Sequence, residues 1–71
     1  MPSEGQYPVD NNTYNLLQVV VSKLESLEAY QKYQRDADDQ SRGMYQELMQ
    51  QDTQAVKKLL GTLKQALQQQ F

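Results

Sequence analysis

The chain has 71 residues, with seven Lys or Arg and nine Asp or Glu, so its formal net charge is -2. This length allows one small domain, and the near-neutral balance argues against a dedicated surface for nucleic acid or anionic membrane. The chain contains neither histidine nor cysteine, which excludes disulfides and thiolate sites and removes the commonest transition-metal ligand. Small domains without disulfides or a bound metal usually depend on a partner chain for stability, so we expect an oligomer.

The N-terminal stretch, residues 1–11, is predicted to be a flexible tail, because it holds both prolines and lacks helical periodicity. Its opening residues are polar and show no secretory pattern, and no apolar run of the chain is long enough to cross a bilayer. We therefore expect a soluble, cytoplasmic protein. Asp10, Asn12 or Thr13 can cap the helix that follows, because each offers an oxygen to free backbone N–H groups.

The first helix is predicted at about 12–37. Leu17, Val20, Leu24 and Leu27 recur at steps of three and four residues, which is typical of one buried helix face. Further apolar residues widen this stripe on both edges.

The predicted break lies at residues 36–41, which contain no apolar residue larger than alanine. Its aspartates compete for backbone hydrogen bonds as capping residues do, and Asp38, Asp39 or Ser41 can cap a second helix. No proline marks the turn, so one long continuous helix remains an alternative.

The second helix is predicted at about 40–69, where Leu48, Val56, Leu59 and Leu63 share one face. Neither stripe can be buried by the other helix alone. The sequence therefore predicts an all-α fold, in which residues 12–71 form a two-helix antiparallel hairpin that dimerises into a four-helix bundle. The predicted interface residues are Leu17, Val20, Leu24, Leu27, Leu48, Val56, Leu59 and Leu63.

Asp52 is anomalous, because it falls within the apolar register of the second helix, between Leu48 and Val56. A lone buried carboxylate costs several kcal/mol, so three alternatives stay open. Asp52 is partly exposed at a bundle edge, forms a buried ion pair with Lys23 across the bundle, or helps to hold an oxygen-loving cation. A single carboxylate per chain is little for a cation site.

The segments Leu24–Tyr30 and Tyr45–Ala55 together resemble half of a ferritin-like bundle of the rubrerythrin type. Those hairpins carry a Glu about seven residues before a Tyr on the first helix, and Glu-x-x-His on the second after an aromatic-x-Glu-Leu pattern. The resemblance covers about 40 residues and implies a ferritin-like helical fold.

The resemblance also implies that the metal ligands of that family are replaced here. Lys23 occupies the position of the first Glu, Asp52 that of the second Glu, and Ala55 that of the His. Lys is a cation where a cation should bind, and Ala has no donor atom. We therefore expect no metal, no cofactor and none of the ferroxidase, peroxidase or iron-storage activities of that family.

The chain lacks most of the groups that enzyme chemistry requires: no serine has a histidine to activate it, and its three glycines form no phosphate cradle. We expect a non-enzymatic structural or protein-interaction module that self-associates through its apolar helix faces. One alternative is a small RNA-binding hairpin dimer of the Rop type. Residues 36–40 of this chain resemble the turn of that family. Another is an adaptor that presents an apolar groove to a partner's helix.

Overall fold

The computed structural model describes residues 8–70 and confirms the all-α fold. Residues 1–7, and with them most of the predicted tail, lie outside the described range. Neither described helix is long and apolar enough to span a bilayer. The elements are, in chain order, α1 (Asn11–Tyr33), a 3-10 turn (Gln34–Asp36) and α2 (Asp39–Gln70).

The N-terminus of α1 is capped by Asp10, one of the three candidates from the sequence. The Thr13 backbone N–H donates to Asp10 Oδ1 at 2.8 Å, while Asp10 itself keeps an extended backbone. The cap satisfies one of the free N–H groups of the first turn. It allows the helix to begin at Asn11, one residue before the predicted start.

The turn between the helices begins earlier than predicted. The α-helix ends at Tyr33, not near residue 37, and is followed by the 3-10 turn. Ala37, directly after this turn, has an extended backbone (φ -86°, ψ 145°). Asp38 then caps α2, because the Ser41 backbone N–H donates to Asp38 Oδ1 at 2.7 Å. The extended backbone at Ala37 shows that the alternative of one continuous helix is wrong.

The two helices run antiparallel and contact each other as a hairpin. Lys23 lies opposite Asp52, and the Tyr30 and Tyr45 rings stack nearer the turn with centroids 6.0 Å apart. The molecule measures 49 × 22 × 12 Å, so it is a single layer of two helices. Such a layer shares one seam and encloses no interior.

The two capping aspartates predict how stability depends on pH. Backbone hydrogen bonds from Thr13 and Ser41 hold the pKa values of Asp10 and Asp38 below their ordinary value of 3.8. The unfolded chain therefore takes up protons first as the pH falls, and the contribution of the caps to the free energy of unfolding is lost below about pH 3.8. Urea unfolding followed by circular dichroism should show this acid loss. It should be smaller in the Asp10→Asn/Asp38→Asn variant, because Asn also caps but does not titrate; an unchanged acid loss would contradict the assignment.

Gly61 gives a second prediction. It lies inside α2, where a Cβ would meet nothing within 4 Å. Gly61→Ala should therefore raise the free energy of unfolding by about 1 kcal/mol, the difference in helix propensity, as measured by urea denaturation. Gly43→Ala is the matched control, because its Cβ position is equally open. If Gly43→Ala raises the free energy of unfolding and Gly61→Ala lowers it, another chain packs closely over Gly61.

Candidate association surface

The eight predicted interface residues do not share one environment in the hairpin. Val20, Val56 and Leu63 are buried in the seam between the helices. Leu27, Leu48 and Leu59 are half-buried beside it. Leu17 and Leu24 are exposed, by 39% and 49%, so intramolecular packing leaves large parts of these two side chains uncovered.

Asp52 forms an ion pair with Lys23 in the structure. Lys23 Nζ lies 3.2 Å from Asp52 Oδ1, and the side chains are 40% and 13% exposed. The lysine stem can lie along the apolar surface while its ammonium group reaches both the carboxylate and water. No buried side-chain N or O atom among the described residues lacks a hydrogen-bond partner. The pair is therefore an edge contact between the helices.

The ion pair identifies the two sides of the layer. With 3.6 residues per turn, Lys23 and Leu24 lie on opposite sides of the buried Val20, at about 60° and about 40° from it. Asp52 and Leu60, each four residues from the buried Val56, lie on opposite sides of that residue in the same way. Because Lys23 contacts Asp52, Leu24 and Leu60 must share the other side of the hairpin.

We call this other side the open side and define it by its exposed apolar residues. On α1 they are Leu17, Val21 and Leu24, spaced as i, i+4 and i+7, and on α2 the residue is Leu60. Leu17 and Leu24 are predicted interface residues, whereas Val21 and Leu60 are not among the eight. Val21 follows Leu17 by four residues, and Leu60 follows Val56 by four residues. This helical spacing is the sequence signal that marks them.

The open side also carries an apolar groove on α2. The groove has a volume of about 530 Å³ and is lined by Leu60, Leu63 and Leu67, with Lys64 and Gln68 at its rim. Leu63 is buried at its floor, whereas Leu60 is 48% exposed. A ridge of apolar residues on α1 and a groove on α2 therefore face the same direction.

The turn end has a different character. Tyr45 contacts Tyr30 and Tyr33, whose ring centroids lie 6.0 and 5.9 Å away, and a polar cavity of about 370 Å³ lies beside Tyr33 and Asp38. The Asp38 carboxylate is already engaged as the cap of α2. The described residues contain no group of three or more Asp or Glu that could hold a metal ion.

Comparison of the chain with protein families, with curated proteins and with solved structures finds no match. The geometry of the hairpin is therefore the basis for a function.

The exposures of the Lys23–Asp52 pair predict unequal effects of removing either partner. Lys23→Met leaves a largely buried carboxylate without its cation, whereas Asp52→Asn leaves an ammonium group that can turn into water. Lys23→Met should therefore lower the free energy of unfolding more than Asp52→Asn. Lys23→Met/Asp52→Leu should recover most of the loss, because apolar replacement of an ion pair is often neutral or stabilising. We expect a coupling energy of about 0.5–1 kcal/mol from a double-mutant cycle, since Lys23 remains solvated.

The matched control for this cycle is the pair Glu28–Lys32 within α1. Its atoms lie 3.6 Å apart and both side chains are more than 60% exposed, so we expect a coupling energy below about 0.5 kcal/mol. Equal coupling in both cycles would show that the partial burial of Asp52 contributes nothing.

Proposed function

We propose that this protein is a non-enzymatic interaction module that self-associates through its apolar helix faces to form a four-helix bundle. The observation that carries the proposal is the open side, where Leu17, Val21, Leu24 and Leu60 expose 39–49% of their surface on one side of a single layer. Contiguous exposed apolar residues of this kind mark interaction sites.

The thinness of the molecule supports association over a solitary role. Among the described residues, the buried apolar side chains are Val20, Val56 and Leu63. Domains are normally built from at least two layers around one core, and a second hairpin would supply the missing layer. The non-enzymatic part of the proposal rests on the sequence, which contains no histidine or cysteine.

A ferritin-like origin is part of the proposal. What supports it is the contact between Lys23 and Asp52, which occupy positions that hold carboxylate ligands in the family that the chain resembles. An ammonium group would then neutralise a carboxylate where the family places a metal ion. The proposal assigns this chain no metal-dependent activity.

The test of self-association is the oligomeric state of the purified protein, measured by light scattering on a sizing column. The wild type should be a dimer. Leu24→Asp should lose the dimer and most of its helicity together, because the charge would lie within the interface and one hairpin buries too little apolar surface to remain folded alone.

Val19→Asp is the matched control, since Val19 is 42% exposed and lies on the opposite edge of α1 from Leu24. It should remain helical and dimeric. A monomeric wild type would contradict self-association and favour an adaptor that awaits another protein's helix. A helical, dimeric Leu24→Asp protein would remove Leu24 from the interface.

A further inference from the structure

We draw no further inference here: the strongest candidate, the open side of the hairpin with its apolar groove between Leu60 and Leu67, is an unpartnered apolar face, and nothing in the described part of the structure shows what covers it.

Discussion

Apolar burial in this protein is limited to one seam, because two helices lying side by side share a single line of contact. Within the described residues, the buried apolar side chains are Val20, Val56 and Leu63, each 7–9% exposed, and Thr13 is 1% exposed. The apolar stripe of each helix is wider than the seam. The residues beyond it are exposed because a second layer is needed to cover them, and no packing within one hairpin can provide that layer.

The Lys23–Asp52 pair fixes which sides of α1 and α2 face each other across the seam. An isolated pair with one partner 40% exposed adds little to the free energy of unfolding, and apolar residues can often replace such a pair without loss. Its geometric effect is larger, since a slip of one residue turns a helix by about 100° and separates the two groups. We interpret the pair as a specificity contact, which keeps Leu24 and Leu60 on the same side of the layer.

The sequence predicted the elements better than it predicted the surfaces. Helical periodicity and capping aspartates indicated two helices joined near Asp38, because both signals are local along the chain. The early end of α1 at Tyr33 carries no proline or glycine to mark it. Periodicity also defines a stripe but not its centre, which depends on the partner helix. The sequence therefore groups Leu24 with Val20 on one stripe, whereas the hairpin buries Val20 and exposes Leu24.

The two ends of the hairpin differ in the side-chain contacts that they make within the chain. At the turn end, Tyr45 contacts both Tyr30 and Tyr33, and Asp38 caps α2. Toward the far end, Leu17 and Leu60 lie exposed beside the apolar groove. A partner that covers this end adds apolar burial beside Val56 and Leu63, which the hairpin already buries. Folding and association are then linked equilibria, and the stability of the helices depends on protein concentration.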